Sequence, residues 1–152
     1  MSLEASRAYP GRPFLAASIA VFRAGKVLLA ERAAPPAALR FSLPGGLVEA
    51  GETLREAALR ELREETGVEA EIVGFNDHVE VIERDGDHRV AAHFVVASFV
   101  GVWRSGDGTT GPEALRILWL EPDRIDELEV TPQLGPIVRR AAEIARAAGA
   151  QA

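Results

Sequence analysis

The chain of 152 residues contains no cysteine, and only one of its 17 basic residues, Lys26, is a lysine. The lack of cysteine excludes a disulfide scaffold, a cysteine-type zinc finger, a thiol nucleophile and an iron–sulfur site. It also fits a reducing compartment, and we expect a cytoplasmic protein. Long apolar runs are missing too. The longest candidate, Ala91–Val102, is interrupted by polar residues and too short to span a bilayer. Met1 to Arg12 has no apolar core behind a basic start, so no signal peptide is expected. There is no excess of positive charge: the net charge is −6 and the pI about 5.1. A duplex nucleic-acid partner normally needs a basic face and is not expected. An anionic substrate would then need a neutralising group, and a bound cation is the obvious candidate.

The composition that remains, 47% hydrophobic and 26% charged, is that of a globular domain, and the length allows one core. We therefore expect a single domain over 1–152, with residues 1–12 as an N-terminal extension. Ala16–Phe22 and Lys26–Arg32 are β-rich runs joined at Arg23-Ala24-Gly25, which reads as a hairpin. A loop over Ala33–Arg40 follows from Pro35-Pro36. Phe41–Leu43 is a short extended piece that Pro44-Gly45-Gly46 is expected to break. Thr53 to Thr66 is helical, opened by a Thr53/Glu56 capping box and stopped by Gly67. Glu69–Val73, His78–Glu83 and Arg89–Trp103 read as strands, the last two joined by a turn at Asp85-Gly86-Asp87. A glycine-rich loop over Ser105–Pro112 leads to a strand at Leu115–Leu120, a short helix at Asp123–Leu128 and a final helix from Gln133 to about Ala148. This order predicts an α/β fold: a mixed sheet between helices, an α/β/α sandwich.

Helix geometry singles out one stretch. Leu54, Ala58, Leu59 and Leu62 form an apolar arc suited to packing on the sheet. Glu61, Glu64 and Glu65, at i, i+3 and i+4, share a neighbouring arc. At about 4–6 Å each carboxylate pair costs on the order of 1–4 kcal/mol, depending on the effective dielectric. All three also sit in the last turn, where the helix dipole disfavours anions. Two readings are open. The acids form a solvated face partly relieved by Arg60 and Arg63, or they bind a divalent cation such as Mg²⁺, which prefers carboxylate oxygen.

The spacing from Gly46 to Val68 resembles the Nudix box, G-x5-E-x7-R-E-U-x-E-E-x-G-U with U aliphatic. Gly46, Glu52, Arg60, Glu61, Leu62, Glu64, Glu65, Gly67 and Val68 fill every specified position. Random sequence of this length would match about once in 10⁸. The preceding Leu43-Pro44-Gly45 and the flanking strands are similar to the family as well. The resemblance implies a Nudix-type sandwich that uses Mg²⁺ or Mn²⁺ and water to cleave a nucleoside diphosphate linked to another group. It implies metal ligation by Glu61, Glu64, Glu65 and the carbonyl of Gly45, with Glu52 and Arg60 as a pair tying the loop to the helix.

By the same resemblance Glu113, in the loop before the strand carrying Trp119, acts as a ligand or general base; its alternative is a solvated surface residue. Which glutamate deprotonates water varies in the family, and no unique base is assigned. His93 reads as a packed strand residue and His88 as a solvated turn residue, while one of Glu80 and Glu83 is a weaker candidate for the substrate cleft. Trp103 and Trp119 read as core or edge packing, with adenine stacking by either, or by Phe22, as the alternative. Pro10-Gly11-Arg12-Pro13 and His93-Phe94-Val95-Val96 most resemble the bacterial ADP-ribose pyrophosphatase-like branch. That branch implies hydrolysis of ADP-ribose to AMP and ribose 5-phosphate. The alternatives are an oxidised nucleoside triphosphate pyrophosphohydrolase, dinucleoside polyphosphates or NADH as substrates, and a sensor that binds a nucleotide without cleaving it. Family members commonly form isologous homodimers, and no exposed apolar stripe in the sequence marks such an interface.

Overall fold

The computed structural model describes residues 7–33 and 38–149. The Pro35-Pro36 pair and part of the N-terminal extension lie outside the described residues. Strands β1 (Phe14–Arg23) and β2 (Lys26–Arg32) form the expected hairpin. Ala24 at φ 49° and Gly25 at φ 79° supply the two positive dihedrals of a tight turn whose twist matches the strands. Strands β3 (Phe41–Ser42) and β4 (Gly45–Leu47) follow, then helix α1 (Leu54–Thr66), β5 (Glu69–Arg84), β6 (Val90–Ser105), β7 (Ala114–Leu120), a 3-10 turn over Pro122–Glu127 and helix α2 (Leu134–Ala147). The seven strands make one mixed sheet in the order β3-β2-β1-β6-β5, with β4 paired to β1 and β7 to β2. β1 and β6 run parallel and the other pairs antiparallel.

Alternation along β1 sends Ala17, Ile19 and Val21 to one face and Ala20 and Phe22 to the other. The first face packs under Ala57, Ala58 and Leu62 of α1, the second under Val138, Ala141, Ala142 and Ala145 of α2. Two buried apolar layers on one sheet give the predicted sandwich. Thr53 Oγ1 accepts the Glu56 N–H at 3.1 Å, and Gly67, at φ 73°, donates its N–H to the Arg63 carbonyl at 2.9 Å. Both ends of α1 are therefore capped as the sequence predicts.

Three expectations are sharpened or corrected. The extended piece at Phe41 does end before Pro44, but the chain rejoins the sheet at once: Gly45 and Gly46 lie in β4, opposite Ser18 and Ala17 of β1. A Cβ on Gly45 would stand 2.5 Å from the Ala17 carbonyl oxygen, so glycine answers a close approach of backbones rather than a turn. Glu69–Val73 and His78–Glu83 are one strand, because register shifts between Ile72 and Gly74 and between Phe75 and Asp77 carry the pairing with β6 across the gap. The final helix begins at Leu134, with Gln133 held at φ 71° as its N-cap and its side chain donating to the Glu80 carbonyl at 3.0 Å.

Candidate metal centre

β4 leads directly into the loop that opens α1, so the N-terminal glycines of the box face the helix's carboxylates. The Glu61, Glu65 and Glu113 carboxylates each offer an oxygen within 4.8 Å of the other two. Glu61 and Glu65 come from α1, while Glu113 arrives from the loop before β7. A Cβ on Gly46 would stand 2.6 Å from both Glu61 carboxylate oxygens, so only glycine leaves room for that side chain. Gly45 donates its N–H to Glu65. Ile19 N–H takes the Pro44 carbonyl at 3.1 Å, and strand alternation turns both polar groups of Gly45 away from β1, towards α1.

Burial pushes the Glu65 carboxyl up to about 8, helped by Glu61 and Glu113 and opposed by the Gly45 N–H and the Arg32 cation. Burial also raises Glu61, with Arg60 pulling against it and Glu64 and Glu113 adding to the rise. The metal-free arrangement thus holds desolvated carboxyl groups too close to ionise together. Hard oxygen donors converging on one point suit a cation such as Mg²⁺ or Mn²⁺, whose charge would offset their mutual repulsion.

Arg60 ties the surroundings together. Its guanidinium donates to Glu52 Oε2 and Oε1 at 2.6 and 2.9 Å, to the Leu47 carbonyl at 3.0 Å, to Glu61 at 2.9 Å and to Glu64 at 3.1 Å. The doubly bonded Glu52 carboxyl is held down at about 2, chiefly by that arginine and then by the Glu49 N–H. Arg60 of α1 thus bonds both Glu52 and the Leu47 carbonyl in the segment that precedes the helix.

Glu64 is placed differently from the expectation. Its side chain is 56% exposed and turns to Arg60 rather than into the Glu61–Glu65–Glu113 group. Phe22, only 1% exposed, is packed in the α2-side core and offers no face for a nucleobase. Trp103 and Trp119 pack against the α1-side core, and their indole N–H groups bond the Gly106 and Asp107 carbonyls at 2.5 and 3.0 Å. His88 lies exposed in its turn and His93 is half-buried in β6. Glu80 and His78 face each other at 3.5 Å on the surface, and Glu83 is exposed. None of these joins the carboxylate group among the described residues. Sequence reasoning missed Arg32, whose charge reaches Glu65; the signal was its even position in β2, on the α1-facing side with Leu28. A cleft of about 410 Å³ beside Glu121, Asp123 and Arg146 shares no residue with the centre.

Comparison with known proteins agrees with this geometry. The NUDIX domain family model matches residues 12–141. An ADP-ribose pyrophosphatase of Methanocaldococcus jannaschii is 33% identical over 96 residues, 62% of this chain and 57% of that one. A putative 8-oxo-dGTP diphosphatase 2 of Mycobacterium tuberculosis is 49% identical over 61 residues, 40% of this chain and 43% of that one. The chain thus aligns with little more than half of the first relative and less than half of the second. The NUDIX domain of Shewanella oneidensis NrtR, solved with ADP ribose, superposes with a TM-score of 0.73 at 19% identity, covering 94% of this chain and 92% of that one, a likeness of fold. With every specified position of the box filled, Glu61 and Glu65 of the box meeting beside its Gly46, and the family match running from Arg12 into α2, this chain belongs to the Nudix hydrolase family.

Proposed function

We propose that this protein is a divalent-cation-dependent pyrophosphohydrolase that cleaves a nucleoside diphosphate linked to another moiety, with ADP-ribose as substrate. The convergence of Glu61, Glu65 and Glu113 beside Gly45 and Gly46 carries this reading. The named activity of the archaeal relative and the flanking motifs support the choice of ADP-ribose. Water adds to one phosphorus, the P–O–P bridge breaks, and AMP and ribose 5-phosphate leave.

Glu61 and Glu65, with Glu113 and the Gly45 carbonyl, would hold Mg²⁺ or Mn²⁺, and Glu64 would join them by turning from Arg60. Such a cation, when bound, neutralises phosphate charge and lowers the pKa of a coordinated water. Arg60 contributes by fixing the Glu61 carboxylate and, through Glu52 and the Leu47 carbonyl, the loop that carries the glycines. Such preorganisation keeps reorganisation out of the chemical step. The same reading extends to a cytoplasmic protein, which the lack of cysteine fits, and to a homodimer, which sedimentation would check.

The test is mass spectrometry of products after incubation with Mg²⁺ and a panel of ADP-ribose, NADH, diadenosine polyphosphates, oxidised and ordinary nucleoside triphosphates and a nucleotide sugar. AMP plus ribose 5-phosphate from ADP-ribose is the expected result. Pyrophosphate from a triphosphate would overturn the substrate and favour the second reading, a triphosphate pyrophosphohydrolase, which the mycobacterial relative supports. Tight nucleotide binding by calorimetry with no product from any substrate, with Mn²⁺ also tried, would replace the enzyme by a sensor.

A further inference from the structure

Glu113 reaches the carboxylate group from a loop that would be free to wander if only its ends were held. The loop is instead tied down at almost every step. The Trp103 indole N–H donates to the Gly106 carbonyl at 2.5 Å, and that of Trp119 to the Asp107 carbonyl at 3.0 Å. The Arg23 guanidinium lies 3.8 Å from the centre of the Trp103 ring and 5.7 Å from that of Trp119, and bonds Asp107 Oδ1 at 2.9 Å. Further along, Thr109 N–H takes the Thr66 carbonyl at 2.8 Å, at the end of the helix that carries Glu61 and Glu65. Ala33 N–H finally takes the Glu113 carbonyl at 3.2 Å.

Gly106 and Gly108 fit the same design. Both have positive φ, 86° and 97°, and a Cβ on Gly106 would stand 2.6 Å from the Gly67 carbonyl oxygen. The loop is thus pressed against the C-terminal cap of α1. Trp103, Arg23 and Trp119 come from β6, β1 and β7 and present their side chains on the α1 face of the sheet. A scaffold that rigid transfers the position of the sheet to the end of the loop.

We propose that Trp103 and Trp119, with Arg23 between them, are positioning residues that place the Glu113 carboxylate beside Glu61 and Glu65. This rests on the reading of Glu113 as part of the working site. The experiment compares Trp119→Phe, Glu113→Gln and the double variant in two measurements: Mn²⁺ binding without nucleotide, followed by electron paramagnetic resonance, and the kinetics of nucleotide hydrolysis as a function of metal. Trp119→Phe keeps an aromatic ring against the core but removes the indole N–H together with part of the ring, so its melting temperature is read alongside to separate lost packing from lost positioning. We expect it to weaken whichever quantity Glu113→Gln weakens, by about three- to tenfold, the value of one hydrogen bond. The double variant should be no worse than Glu113→Gln alone, because a positioning residue has nothing left to position. A merely structural tryptophan would lower the melting temperature, leave the metal constant unchanged and multiply its effect with that of Glu113→Gln. Either an unchanged Trp119→Phe protein or such multiplication overturns the inference and leaves the functional reading standing. A Glu113→Gln protein equal to the parent in both measurements overturns the assignment of Glu113, and the inference with it.

Discussion

The Glu61 carboxylate lies directly over Gly46: a Cβ added there would stand 2.6 Å from both of its oxygens. The first residue of the box therefore exists to make room for one of its acids, fifteen positions later in the chain. Gly46→Ala should push Glu61 out of register with Glu65. Displacements of about 1 Å in a working site cost on the order of 100-fold in rate. We expect a loss of that size in kcat/KM, with a melting temperature close to the parent's because Glu61 can swing aside. Gly51→Ala is a useful contrast, since space around Gly51 is open and only its φ of 87° is strained. That variant should lose stability and keep its activity when folded. Full activity in Gly46→Ala would contradict the packing argument.

Arg60 is the partner of two mostly buried acids at once, with Glu52 12% and Glu61 13% exposed at the side chain. Arg60→Ala leaves both without a counter-charge and the Leu47 carbonyl without its donor. Removing one partner of such a group costs about 3–5 kcal/mol when fully buried, and about 2–4 kcal/mol is expected here. Arg60→Lys should recover only part of this, because a point ammonium cannot span Glu52, Glu61 and a carbonyl in one geometry. Urea unfolding of the metal-free proteins measures both, and an Arg60→Ala loss below about 0.5 kcal/mol would be too small for this account.

The box told most about the site because its spacing is set by chemistry that a linear sequence preserves. A helix repeat brings Glu61 and Glu65 to one side, and the capping residues Thr53 and Gly67 announce both helix ends. The fold was legible where hydrophobic alternation and turn residues agreed, as at the β1–β2 hairpin. Legibility failed where a tertiary contact outweighed local preference. Gly45 and Gly46 look like a break, but they are in the sheet because a neighbouring backbone and a carboxylate stand too near for any side chain. Gly74 and Asn76 look like the end of a strand, and bulges carry β5 through them, with buried Asn76 bonding the Ile137 carbonyl of α2 at 2.9 Å. Arg32 and the anchoring role of Trp103 and Trp119 depend on strand order, which no local pattern encodes.

Glu64 and Leu62 are two positions apart on α1 and should fail in opposite ways. Leu62 is fully buried in the α1-side core, and Leu62→Ala should cost about 2–4 kcal/mol of stability from lost burial and the cavity left behind. Glu64 is largely exposed and, among the described residues, bonds Arg60 alone, so Glu64→Gln should leave the melting temperature nearly unchanged. Turnover should nonetheless fall to background, because the carboxylate that would turn from Arg60 to the cation is gone. Near-normal activity in Glu64→Gln would remove that residue from the metal site and leave the ligation to Glu61, Glu65 and Glu113.

The metal-free protein should lose stability as pH rises through the neutral range, the reverse of what salt-bridged acids produce. Glu65 is raised by burial from 4.5 to about 8, and Glu61 is raised in the same direction. Between those values the folded chain binds more protons than the unfolded one, so each rise in pH favours unfolding. The contribution is complete below about pH 4.5 and is lost as pH climbs through about 8. Glu52, held at about 2 by Arg60, acts oppositely: its contribution is present above 4.5 and disappears only in strong acid, outside this window. In a chelating buffer the melting temperature should therefore fall from pH 5 to pH 8.5, and Glu65→Gln, which cannot ionise, should flatten that slope. Mg²⁺ or Mn²⁺ should restore stability, and more at pH 8.5 than at pH 5, because protons compete with the cation for the same oxygens. A parent melting temperature that is level across this range, with a Glu65→Gln protein indistinguishable from it, would show that the Glu65 carboxyl is not the buried, repelled group that its position beside Glu61 and Glu113 requires.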